Sequence, residues 1–193
     1  MKPLQSLQRF FILHQIVSMN VIRMSFLCVL VLVSTSFFAG AQRKIDVTKQ
    51  FKVTGVVTQP VTFDIATIKK YPETALGDVV LKNHKGEDKN TAKNVKGVLL
   101  KMLLDSVHVK VEKPRYFSEL IVVLVASDGY KNVYSWNELV NTEVGNHVYI
   151  ITEKDGQGID GMDGAIVVMS TSDINAGSRY LRGLDRIEIR RVE

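Results

Sequence analysis

The chain is 193 residues long and carries 25 Lys and Arg against 20 Asp and Glu, with a single cysteine. Three of the basic side chains (Lys2, Arg9 and Arg23) and none of the acids fall in residues 1–41, so the remainder carries 22 basic against 20 acidic groups, a balance that excludes the strongly basic surface of a nucleic-acid-binding protein. The lone Cys28 lies in the same prefix, which excludes disulfides and thiolate ligands from the rest of the chain.

That prefix has its own logic. Arg23 precedes the apolar run MSFLCVLVLVSTSFF and then Ala39-Gly40-Ala41. A positive segment, a short apolar segment and small residues at a cleavage site make a secretory signal. The apolar run falls short of the ~20 residues that a spanning helix needs. Apolar residues flank Cys28 on both sides, which argues against a lipid-attachment cysteine. Residues 1–41 are therefore expected to be an N-terminal prefix and signal peptide, with the true start at Met19 or Met24. Cleavage leaves an exported domain, 42–193, periplasmic or extracellular and with no membrane span. That length suits one domain with an unstapled core.

Residues 42–50 lead into FKVTGVV (51–57), an alternating, β-branched strand pattern. Asp64 is placed to cap a short helix running to Lys70, and Pro72 stops it. ALGDVVLK (75–82) reads as the next strand. Asn83 to Asn94 has no apolar period and is read as a long, charged loop. GVLLKMLLDSV follows with Val98, Leu99, Met102, Leu103 and Val107 at helical spacing. ELIVVLVA is a buried strand ending at Ser127-Asp128-Gly129-Tyr130, where the Asp-Gly pair marks a tight turn. Ser135 and Glu138 have capping-box spacing, so a short helix begins at Trp136. HVYIITEK, AIVVMS and DRIEIRRV supply the remaining strands. Many strands, few short helices and no βαβ alternation predict an α+β, mainly β domain.

Candidate ligand sites are few. The Asp155–Gly164 cluster fails the EF-hand pattern, since Ile159 or Met162 falls on a ligand position, and its Gly and Asp residues suit turns. His84, His108 and His147 lack a partner at metal-ligand spacing. His84 stands out for its place in the long charged loop. No nucleophile–base pair, Walker loop or dinucleotide fingerprint is present.

The order of these segments resembles the sulfite-oxidase-type molybdopterin-binding domain over about residues 50–191. Gly97-Val98 with Leu100 ahead of Leu103-Leu104, Ala126-Ser127-Asp128-Gly129-Tyr130, Arg179-Tyr180-Leu181 and Ile187-Glu188-Ile189 carry the likeness. The resemblance implies a mixed, mainly β fold holding a molybdenum cofactor for oxygen-atom transfer, with Asn83, His84, Ser127, Asp128, Tyr130 and Arg179 beside it. Two departures stand out. The family's metal-ligating cysteine is missing, Asn83 falling closest to its place, and Gly164-Ala165-Ile166 replaces a Gly-Pro-basic pattern. A soft metal favours a thiolate over an amide, and a lost cation weakens the hold on a phosphate. These departures lead to the expectation of a non-catalytic domain with no metal, binding a pterin-like or other small anionic ligand or an envelope protein partner. The rivals are a molybdenum oxidoreductase using Asn83 or His84 as ligand, and an interaction module of an envelope redox or transport system.

Overall fold

The structure is a computed structural model that describes residues 44–192. The expected signal peptide, Cys28, the alternative starts and the cleavage point before Gln42 lie outside the described residues. Among the described residues no helix is long and apolar enough to cross a membrane.

Eleven strands form two sheets, with only short helices between them, so the α+β, mainly β class read from the sequence holds. The strands are β1 (Gln50–Gly55), β2 (Val61–Asp64), β3 (Thr74–Lys82), β4 (Asp88–Leu99), β5 (Leu120–Ala126), β6 (Lys131–Ser135), β7 (Val148–Lys154), β8 (Gln157–Gly158), β9 (Val167–Ser170), β10 (Leu181–Arg182) and β11 (Leu184–Arg191). Among the described residues the α-helices are α1 (Ile65–Ile68), α2 (Leu100–Leu104) and α3 (Trp136–Val140), with 3-10 turns at Pro114–Glu119, Glu143–His147 and Ala176–Arg179. The first sheet runs β2-β1-β11-β5-β6, and β1 and β11 are its parallel pair. The second runs β10-β9-β7-β4-β3, with β8 beside β7. Phe51, Val53, Leu124 and Ile187 from the first sheet join Val98, Ile150 and Val168 from the second in one buried cluster.

The local signals near helix starts read correctly. The Asp64 carboxylate accepts from the Thr67 N–H at 2.7 Å and caps α1. Ser135 and Glu138 close the capping box at the start of α3. Gly129 has a φ of 85°, as the Asp-Gly turn requires.

Two elements differ from the sequence reading. The stretch 83–94 is not a long loop. The chain turns over Asn83–Glu87, and β4 begins at Asp88, so β3 and β4 form a long hairpin. Only Ala92 is buried among residues 88–94, because this arm is exposed on almost all sides and has no apolar alternation to betray a strand. The helix expected from Gly97 onward is also shorter. Gly97 to Leu99 remain in β4, where a Cβ on Gly97 would come within 2.9 Å of the Ile150 carbonyl on β7. The helix itself presents Leu100, Leu103 and Leu104 to the core.

Candidate functional site

The two hairpin ends converge. The β3–β4 turn, the β5–β6 turn and the segment from Ala176 to Arg182 enclose a cleft of about 670 Å³, within the size range of small-molecule sites. Asn83 and His84 line it from the first turn, and Asp128 and Tyr130 from the second. Gly177, Ser178 and Tyr180 close another side. The structure therefore brings together four of the six residues singled out from the sequence. Ser127 and Arg179 do not line this cleft.

Each wall has a local cause. At the β5–β6 turn, the Asp128 carboxylate accepts from the Tyr130 N–H at 2.9 Å, and the Ala126 N–H donates to the Tyr130 carbonyl at 2.8 Å. The Tyr130 hydroxyl then reaches across the cleft and donates to the Ser178 carbonyl at 2.6 Å. Gly177 lets the segment lie against β3, since a Cβ there would sit 2.4 Å from the Lys82 carbonyl. The leader supplies a further wall through Ile45. Its neighbour Asp46 is held by Ser127, so Ser127 supports the cleft without facing it.

Asn83 closes the β3–β4 turn with its whole side chain. Its Oδ1 accepts from the Lys85 N–H at 2.9 Å and the Glu87 N–H at 3.1 Å, and its Nδ2 donates to Glu87 at 2.8 Å. This is the chemistry that makes Asn a turn residue. With no thiolate nearby and the amide already engaged, the residues present do not fit a thiolate-held metal. Among the described residues no group of three or more His, Cys, Asp or Glu is placed to hold a metal ion.

Arg179 is also engaged elsewhere. Its guanidinium binds Asp173 through Nε at 2.6 Å and through a second nitrogen at 2.6 Å, and Glu138 at 2.9 Å. It covers the Tyr134 ring at 4.4 Å. The Asp173 hydrogen bonds hold the Arg179 pKa above even the usual guanidinium range, against the opposing effect of partial burial.

The cleft's charge comes from residues that the sequence reading passed over. Lys82, Lys89, Lys154 and Arg182 face it, against the carboxylates of Asp128 and Asp163. Arg182 is ion-paired with Asp163, and Lys82 lies 3.9 Å from Asp88. Lys154 is the least hydrated of these cations, its side chain only 19% exposed. Burial pulls its pKa down, but Tyr180 and Asp155 together outweigh it, so the ammonium stays charged. No motif marks these four residues in the sequence. Only strand pairing brings the end of β7 and the far arm of the β3–β4 hairpin to one place.

One further departure has a conformational cause. Ala165, at the position where a proline was expected, has a φ of 53°, and its N–H donates to the Met162 carbonyl at 2.8 Å. Proline can supply neither that φ nor that donor. The backbone here differs from a Gly-Pro path, not merely the side chain.

No protein-family model and no curated protein matches this chain. Among solved structures it is similar to the sulfane dehydrogenase SoxCD from Paracoccus pantotrophus, with a TM-score of 0.53 and 13% sequence identity. The match covers 76% of this chain and 40% of that one, so the chain spans less than half the length of this neighbour. At this identity the likeness is one of fold.

Proposed function

We propose that this chain is an exported sulfite-oxidase-like domain whose cleft binds a small anionic ligand without molybdenum chemistry. The order of motifs in the sequence and the fold shared with a sulfane dehydrogenase both favour that lineage. The observation that carries the reading is the character of the cleft: four cations against two carboxylates, with Asn83 engaged in its own turn where a metal ligand would stand. A pterin-like molecule with an anionic end is one ligand of this class. The cations lining the cleft would meet its charge, and no redox step is assigned to the domain. The export half of the proposal rests on the composition of residues 1–41.

The test is analysis of protein purified from its native host, by metal quantification, intact mass and mass spectrometry of released small molecules. The expected result is a chain beginning at Gln42, without stoichiometric molybdenum, that releases an organic anion. A molybdenum-to-protein ratio near one overturns the non-catalytic reading. Absence of any released anion, together with no thermal stabilisation by added anions, transfers the role to a protein partner. Ligand at ~100-fold above its Kd should add about 2.7 kcal/mol to stability, which a melting curve resolves easily.

A further inference from the structure

The anion-binding reading leaves open which cation holds the ligand. The four candidates differ in how well each is already satisfied. Arg182 has Asp163. Lys82 and Lys89 stand on the hairpin arm, Lys89 exposed and Lys82 with its side chain 43% exposed, where water already solvates them well. Lys154 alone combines low exposure with a poor counter-ion. Its nearest carboxylate oxygen, on Asp155, is 3.5 Å away, longer than the 2.7–2.9 Å of a strong charge-assisted bond. Asp155 is not placed to close that gap. Its Oδ1 accepts from the Lys93 N–H at 2.8 Å, and its own N–H donates to the Lys93 carbonyl at 2.8 Å, so β4 holds it in place. Beneath the ammonium lies the Tyr180 ring, 5.9 Å from Nζ to its centroid, near the outer limit of a cation–π contact.

Such an ammonium has already lost most of its water, and what it has gained is a carboxylate at 3.5 Å and a side-chain contact with Tyr180, not a close opposite charge. An oxyanion arriving there gains a charge-assisted bond with little further desolvation of the lysine, whereas an anion at Lys89 must compete with full hydration. From this, and resting on the anion-binding reading above, we infer that Lys154 anchors the ligand's charged group, and that the ligand is a phosphate- or carboxylate-bearing organic molecule whose anionic end seats beside Tyr180. The rest of the ligand lies toward Lys89. On β4 that residue is four positions from Lys93, roughly 13 Å at the usual strand rise.

The probe is adenosine 5′-monophosphate, with adenosine as the uncharged control and inorganic phosphate as the bare anion, titrated by calorimetry. The variants are Lys154→Met, which keeps an apolar stem over Tyr180, Lys154→Arg, and Lys85→Met, which removes one charge from the turn outside the cleft. Melting temperatures confirm that each variant is folded. Expected are binding of the monophosphate but not of adenosine, a loss of roughly tenfold or more in Lys154→Met, substantial recovery in Lys154→Arg, and less than about a twofold change in Lys85→Met. Monophosphate binding that survives Lys154→Met within twofold overturns the assignment of Lys154 while leaving an anion-binding cleft in place. Failure of the unaltered protein to bind either monophosphate or phosphate overturns both. Equal losses in Lys154→Met and Lys85→Met reduce the effect to net charge and also sink the assignment.

Discussion

The Ser127 hydroxyl holds Asp46 by both of its backbone groups, accepting from the Asp46 N–H at 3.0 Å and donating to the Asp46 carbonyl at 3.0 Å. The two residues are far apart in sequence, and the clasp fixes the leader beside Ile45, a wall of the cleft. Gly183 makes room for it, because a Cβ there would lie 2.8 Å from Ser127 Oγ and 2.9 Å from the Asp46 carbonyl. Ser127→Ala is expected to cost about 1–2 kcal/mol for the two bonds. Hydrogen exchange should show the Asp46 amide opening faster while the amides of β5 keep their protection. Unchanged exchange at Asp46 would show that the leader is held by Thr48 and Gly164 instead.

The turn beyond Ser127 makes a second test. Gly129 sits at a φ of 85°, a conformation that β-branched residues resist. Gly129→Val should therefore lose more than about 1 kcal/mol, well beyond the usual effect of a surface change. A variant that melts with the parent would place the turn in another conformation.

How much of this was legible in the sequence follows from where each signal lies. The caps at Asp64 and Ser135 and the turn at Gly129 are local, and short-range chemistry dictates them in any fold. The start of β4 was not legible, because Asp88 to Lys93 face water almost throughout and Ala92 is the one buried residue among them. The pairing of Asn83 and His84 with Asp128 and Tyr130 in one cleft came only from the family resemblance. Lys154 and Arg182 were missed because nothing local distinguishes a basic residue at the end of a strand that meets the cleft from a solvated one. The low exposure of Lys154 is a tertiary property, with Tyr180, the residue before β10, beside it.

Asn83 offers a direct contrast between turn and ligand. Asn83→Cys removes one amide donor and an oxygen that accepts from two N–H groups. The expected outcome is a looser hairpin tip with no gain in molybdenum content, read by hydrogen exchange at Lys85 and Glu87 and by metal quantification. Asn83→Asp keeps the oxygen that accepts from the two N–H groups but sets a carboxylate against Glu87, so it should fall between the parent and the cysteine variant. A cysteine variant that acquires a stoichiometric metal would show that only the thiolate was lacking.

Acid sensitivity should centre on Glu188. The hydrogen bond from Arg186, at 2.6 Å, leads the causes that hold its pKa below the ordinary glutamate value of 4.5, with Arg190 the next contributor. A carboxylate with a depressed folded-state pKa contributes stability that is present above 4.5 and is lost as pH falls through the folded value. Glu188→Gln should thus be less stable than the parent at neutral pH, leaving Arg186 and Arg190 to face each other. The difference should shrink only as pH falls through the depressed folded-state value, where the parent's carboxylate becomes neutral as well. Denaturant midpoints measured across that range decide it, and a constant offset would assign the loss to packing.

Arg179 separates a structural role from the cofactor contact that the family resemblance implies. Its guanidinium bridges Asp173 and Glu138 and covers the ring of Tyr134. Asp173 in turn accepts from the Ser170 hydroxyl at 2.7 Å, and Asn132 donates to the Arg179 carbonyl at 2.8 Å. The network ties the segment after β9 to β6 and α3, behind the cleft wall. Tyr134 is buried, and desolvation drives its hydroxyl pKa well above the phenol range, with Arg179 opposing that rise. A lysine cannot reproduce the planar, bidentate fork. Arg179→Lys is accordingly expected to lose about 2 kcal/mol, below the full penalty for a buried pair because the guanidinium is still partly hydrated. Monophosphate affinity, measured on the folded fraction, should stay within about twofold of the parent, since the lysine keeps the positive charge and position 179 does not line the cleft, so any shift of that charge is screened. Arg179→Ala should cost more, because the aliphatic stem over Tyr134 goes as well. If Arg179→Lys instead melts like the parent and loses monophosphate binding, the guanidinium belongs to the ligand site and not to the frame behind it.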